Sequence, residues 1–187
     1  MKLGPRAKLL LIVSIFAVPM VASYVASTYF RPEATGNYGE LLLPPATVTS
    51  QPFAQPEGED FRFEHLRGKW VMVASDSGDC PSACRGKLQA MNQTRLALGR
   101  NASRVAKVFV VDDLRAPDAK GLAAAYQGLQ VAVTRRGLSL PAGAANDRAH
   151  IYLVDPRGNV MMRWPAEPQY KRMFRDLERL LKASQIG

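Results

Sequence analysis

The hydrophobic pattern of the 187-residue chain changes character twice. The first part is nearly continuous in apolar side chains: Leu9 to Phe30 is a run of 22 residues without a charge. A membrane-crossing helix needs about 20 mostly apolar residues, whereas the apolar core of a cleavable signal spans only about 7–15. The length therefore predicts an uncleaved transmembrane helix over residues 9–30. Tyr24, Tyr29 and Phe30 stand at its far end, where aromatic rings favour the membrane interface. Pro19 lies inside the span, a position that membrane helices tolerate. Small residues at Ala22-Ser23 and Ala26-Ser27 leave cleavage as the alternative. Lys2, Arg6 and Lys8 precede the span, which predicts a cytoplasmic segment 1–8 and export of everything after residue 30.

Residues 31–60 then lose apolar periodicity and read as a linker. Pro32, Pro44, Pro45, Pro52 and Pro56 favour an extended, semi-rigid chain. Leu41-Leu42-Leu43 is the exception and suits packing on a domain or a membrane surface. From Phe61 to the end, residues 61–187 alternate between short apolar runs and helical stripes. Trp70–Ala74, Val105–Val111 and Leu129–Val133 read as buried strands. Pro81 to about Leu98 reads as a helix with Leu88, Met91 and Leu96 inward and Gly99 as its stop. Pro117–Tyr126 has helical character. Ile151–Val154 and Val160–Trp164 flank the turn residues Asp155 to Asn159 and read as a hairpin. Tyr170–Lys182 is an amphipathic helix with Tyr170, Phe174, Leu177 and Leu181 on one face. The order strand–helix–strand–helix–strand–hairpin–helix predicts an α/β sandwich, a central mixed sheet flanked by helices.

Composition narrows the possible chemistry. The formal charge is +9, of which residues 1–30 supply +3 and the other residues, with 22 basic and 16 acidic groups, supply +6. That +6 is scattered, so no clustered basic face for nucleic acid is expected. Two cysteines cannot build a disulfide-dense scaffold or a four-cysteine zinc site, and two histidines exclude any three-histidine centre.

Both cysteines fall in one motif, Cys80-Pro81-Ser82-Ala83-Cys84, between the first buried strand and the first long helix. Cys80 sits at the predicted helix start, where free N–H groups and the helix dipole stabilise a thiolate. Cys84 is four residues on, along the same helical face. The spacing permits a disulfide or a shared soft cation such as Cu(I). A structural bridge would be the bland alternative, but so short a loop removes little unfolded-state entropy. Asp76 and Asp79 flank the motif, and Asp112-Asp113 ends the second strand, where they would cap the turn or face the site.

From these residues on, the chain resembles the Sco/SenC family of membrane-anchored, thioredoxin-like proteins. The resemblance rests on Leu66-Arg67-Gly68-Lys69-Trp70-Val71, on the CPxxC motif, on Tyr152-Leu153-Val154-Asp155-Pro156 with Gly158, and on the closing helix. It implies a thioredoxin-like fold and assistance to cytochrome c oxidase assembly. That function would be copper delivery or thiol–disulfide reduction through Cys80 and Cys84. It also implies an inner-membrane, single-pass protein with its C-terminal domain in the periplasm. The partner would be an oxidase subunit or another exported thiol protein. The family's copper-binding histidine falls five residues before the tyrosine, where this chain has Asp147. The available histidine is His150, so the implied copper ligands are Cys80, Cys84 and His150. His65 reads as a surface residue, and Met72, Met161 and Met162 as core filler that could alternatively offer soft sulfur. The entry to the strand also resembles the TlpA/ResA reductases, which use CxxC and a proline just before the facing strand. Here the spacing is CxxxC, and Pro141 lies ten residues before Ile151. A general periplasmic thiol–disulfide oxidoreductase is therefore the second reading. A non-catalytic oxidase-associated module with a static disulfide is the third.

Overall fold

The computed structural model describes residues 4–29, 36–47, 53–54, 61–134, 147–165 and 167–184. The chain divides into two compact units, Met1–Gly36 and Asn37–Gly187. In the first, the apolar run forms one helix, α1 (Pro5–Tyr29), which contains Pro19. Among the described residues, no helix is long and apolar enough to cross a membrane.

The second unit is built on a six-stranded mixed sheet: β1 (Glu40–Thr47), β2 (Trp70–Asp76), β3 (Val105–Val111), β4 (Leu129–Val133), β5 (Ile151–Val154) and β6 (Asn159–Trp164). The order across the sheet is β1-β6-β5-β2-β3-β4. β2, β3 and β4 run parallel, while β5, β6 and β1 pair antiparallel. The parallel neighbours require crossovers. These are supplied by α2 (Ser82–Ala97) and α3 (Ala119–Ala125), and α4 (Tyr170–Ala183) closes the domain. Asp118 caps α3 by accepting from the Gly121 N–H at 3.0 Å. The predicted hairpin is present, and Gly158 adopts the positive φ of +93° that its turn requires.

Strand alternation sorts the core into two layers. On one face, Trp70, Met72, Phe109, Ile151, Leu153, Met162 and Trp164 pack with Leu88 and Met91 of α2 and with Met173, Leu177 and Leu181 of α4. On the opposite face, Val71, Val73, Val108, Tyr152 and Val154 are covered by Phe53, Phe61, Phe63 and Leu66. The three phenylalanines meet as edge-to-face or tilted pairs with centroids 5.2–6.2 Å apart. Met72 and Met162 are fully buried, as core filler.

The boundary at residue 60 needs correction. Glu40–Thr47 is the edge strand β1, paired with β6 rather than spanning free as linker. The cause is Asp176, a buried carboxylate on α4. It accepts from the N–H groups of Tyr38 (3.0 Å) and Gly39 (2.8 Å) and from Trp164 Nε1 (3.0 Å). A buried carboxylate so satisfied anchors the chain at residues 38–39. Gly39 is required there, because a Cβ would lie 2.4 Å from the Met162 sulfur. Leu41 and Leu42 pack on the domain, and Leu43 is exposed.

α2 also departs in detail. Leu96 is exposed, whereas Cys84, Lys87, Leu88, Met91 and Thr94 face inward. Leu96 lies five residues beyond Met91, about 140° round the helix, and so off the stripe.

Candidate functional site

Cys80 and Cys84 are joined as a disulfide, with their Cα atoms 5.1 Å apart. The bridge stands where β2 gives way to α2, at the carboxyl end of a parallel strand, the usual place for sites in open α/β sheets. Pro81 is the N-cap and the helix begins at Ser82, so Cys80 lies just ahead of the helix start. Its φ is +41°, uncommon for a residue with a side chain. Both residues are buried, Cys80 with 4% of its surface exposed and Cys84 with none.

Three segments hold this loop. Asp113, after β3, accepts from the N–H of Gly78 at 3.0 Å and of Arg115 at 3.1 Å. A hydrogen bond from the Ser77 side chain, followed by the Gly78 N–H, lowers the pKa of Asp113 below the ordinary aspartate value. Gly78 packs so closely that a Cβ would lie 2.0 Å from the Arg115 carbonyl oxygen. Arg115 also pairs with Asp79. Arg148, ahead of β5, pairs with Asp112 and lies 3.6 Å from Asp113. Asp112 in turn accepts from Ser75 Oγ at 3.1 Å. Asp79, Asp112 and Asp113 are thus engaged in holding the loop.

Beneath the loop lies a buried ion pair. Lys87, one turn after Cys84, is 2% exposed; its ammonium lies 2.9 Å from Asp76 Oδ2. It also donates to the carbonyls of Ser75, at 3.0 Å, and Arg148. One lysine therefore ties α2 to the end of β2 and to the segment before β5. Sequence reading gave Lys87 no role. The available signal was its place on the inward stripe between Cys84 and Met91.

His150 stands immediately ahead of β5. Ile151 packs in the layer that holds Cys80 and Cys84, whereas Tyr152 packs in the opposite layer. His150 shares the parity of Tyr152, and the two ring centroids lie 6.0 Å apart. Asp147 lies in a 3₁₀ turn, Asp147–Ala149, and His65 is exposed in another, Phe63–Leu66. Pro141 lies outside the described residues. Among the described residues, no three His, Cys, Asp or Glu side chains come together to hold a metal.

The fold and this cysteine pair define a thioredoxin-like protein with a CxxxC motif at the helix start. Residues 70–184 match the family model described as "Transmembrane-like, thioredoxin-like, C-terminal domain", and the chain belongs to that family. No curated protein sequence matches it. Among solved structures, the chain is similar to apo Sco1 from Thermus thermophilus at 21% identity and a TM-score of 0.61, covering 77% of this chain and 96% of that one. It is similar to copper-bound ScoI from Bradyrhizobium japonicum at 18% identity and a TM-score of 0.56, covering 72% and 99%. It is also similar to the thioredoxin domain of a thiol–disulfide oxidoreductase from Bacteroides vulgatus at 18% identity and a TM-score of 0.53, covering 74% and 98%. Sco-type proteins and a thiol–disulfide oxidoreductase therefore share this fold.

Proposed function

We propose that the protein is an exported, membrane-anchored thiol–disulfide exchange protein of Sco type, which reduces disulfides in a partner. The observation that carries this reading is the place of the pair: Cys80 just ahead of the start of α2 and Cys84 fully buried in its first turn. In the reduced form, the Cys80 thiolate attacks one sulfur of the partner's disulfide. The partner's S–S bond breaks, and its other sulfur leaves as a thiolate and takes a proton. The Cys84 thiolate then attacks Cys80 Sγ, closing the Cys80–Cys84 bond and releasing the second partner thiol. Two electrons pass to the partner, and an exported dithiol donor restores the reduced pair. Titrating the full-length chain in detergent against glutathione redox buffers tests this. A potential above about −300 mV is expected, and a lower value marks an inert structural bridge.

Copper delivery to cytochrome c oxidase is the finer reading, supported by the fold shared with copper-bound ScoI. Copper would then be cargo on the reduced sulfurs alone, soft donors for Cu(I). Cysteine-dependent binding tighter than micromolar, lost in Cys80→Ser and Cys84→Ser, supports it. Weaker binding removes it and leaves exchange of the oxidase's copper-ligating thiols.

The anchor is proposed from the uncharged run Leu9–Phe30, a count that includes side chains outside the described set. The family description as transmembrane-like agrees with it. Retention in the membrane fraction after alkaline washing, with the C-terminal domain digested from the periplasmic side, is the expected result.

A further inference from the structure

Two cations meet near the C-terminal end of α2. Arg95, half-buried on that helix, donates from Nε to the Val105 carbonyl at 2.8 Å. Lys107 stands two residues further along β3, on the same face of the sheet, and is fully buried. Its ammonium donates to Oδ1 of Asn92, three residues before Arg95 and on the same side of the helix. The two contacts bring guanidinium and ammonium together between α2 and β3. The Arg95 charge acts on Lys107 there, adding to the lowering of its pKa by burial.

No acid neutralises them among the described residues. The ion pairs there join Lys87 to Asp76, Arg115 to Asp79, Arg148 to Asp112 and Asp113, Arg163 to Glu40 and Lys182 to Glu178. None includes Arg95 or Lys107. Asn92 offers an acceptor oxygen but no charge. Two like charges, one of them desolvated, gain more from a counter-ion than a lone surface cation does.

The unused donors belong to Arg95. Among the described residues, its only hydrogen bond is the one from Nε, which leaves Nη1 and Nη2 to a ligand. Nη1 lies beside Gly128, an exposed residue at φ +76° just ahead of β4; a Cβ there would stand 3.8 Å from it. A guanidinium presents its N–H groups as a planar fork that matches two oxygens of an oxyanion. The Lys107 charge behind that fork favours a dianion over a monoanion. Arg95 is eleven residues beyond Cys84 on α2, about 16 Å along the helix.

We propose that Arg95 and Lys107 form a binding site for a small tetrahedral dianion, phosphate or sulfate, held by the Arg95 fork in front of the Lys107 ammonium. The site is separate from the cysteine pair and stands or falls independently of the exchange reading.

The test follows tryptophan fluorescence of the full-length chain in detergent during heating at pH 7, with sodium phosphate added at constant ionic strength. A saturable rise in Tm of about 4 °C at 10 mM phosphate is expected. Half-saturation is expected on the order of 1 mM. Arg95→Gln and Lys107→Met, the latter keeping the bulk of the stem, should each weaken the binding at least about tenfold. Arg95→Lys keeps the charge but loses the fork, and should weaken it about threefold. Sulfate should match phosphate, and acetate should bind about tenfold more weakly. Glycerol phosphate binding as tightly as inorganic phosphate extends the site to phosphomonoesters, and weaker binding confines it to the free ion; either result sustains the site. A rise that does not saturate, or that persists undiminished in both Arg95→Gln and Lys107→Met, is the general stabilising effect of these salts and overturns the proposal. Acetate binding as tightly as phosphate also overturns it.

Discussion

The two faces of the sheet are covered by different means and do different work. One carries amphipathic helices, the cysteine pair and the buried Lys87–Asp76 ion pair. The other is closed by three phenylalanines and Leu66 from segments ahead of β2, and it takes the parity of His150. Successive side chains of a strand point to opposite faces, so adjacent residues of β5 belong to different environments: Ile151 and Leu153 to one, Tyr152 and Val154 to the other.

Substitutions on the two faces should therefore separate stability from reactivity. The largest effect is expected for Lys87→Ala. It leaves the Asp76 carboxylate buried without its cation and two carbonyls without a donor, costing about 3–5 kcal/mol in denaturant unfolding. It should also loosen the segment before β5 and shift the potential of the cysteine pair. Phe61→Ala on the opposite face should cost about 3 kcal/mol, near the low end for a buried phenylalanine. Its potential should stay at the wild-type value; a shared shift would show that the faces are coupled.

A smaller effect is expected from Lys107, at the centre of β3 and fully buried under α2. Burial, and then the nearby Arg95 charge, lowers its pKa from 10.5 to about 8. Asn92 Oδ1 accepts from its ammonium. Between pH 8 and 10.5 the unfolded chain holds a proton that the folded chain has released, so stability should rise with pH across that window. The rise should be at most about 3 kcal/mol, and Lys107→Met should flatten it and raise stability at pH 7. The smallest effect is expected at the sheet edge. Arg163→Ala, which breaks the surface pair with Glu40, should change stability by no more than about 0.5 kcal/mol.

The helical face was legible in the sequence because its signals are periodic. Val105–Val111 and Leu129–Val133 fall on the strands as read, and α2 and α4 fall within a residue or so. The cysteine pair was legible because strand, proline and helix stripe bracket it. The opposite face was not, because Phe53, Phe61 and Phe63 fall within or just after a proline-rich stretch with no period to read. Asp176 and Lys87 were missed for a related reason. A charged residue on an inward stripe reads as polar surface until its partner is known. Asp176 finds N–H donors more than 100 residues away in sequence, at Tyr38 and Gly39. Lys87 finds Asp76 only once β2 and α2 pack. The turn role considered for Asp113 is met, with the Cys80 loop as what it holds.

The central claim is that Cys80 exchanges and Cys84 resolves. It is tested most directly by trapping mixed disulfides with a disulfide-linked peptide on the full-length Cys84→Ser and Cys80→Ser variants, read by mass spectrometry. The account predicts a stable adduct on Cys84→Ser, through Cys80, and at most a trace on Cys80→Ser. Equal adducts on both variants, or none on Cys84→Ser, would contradict it.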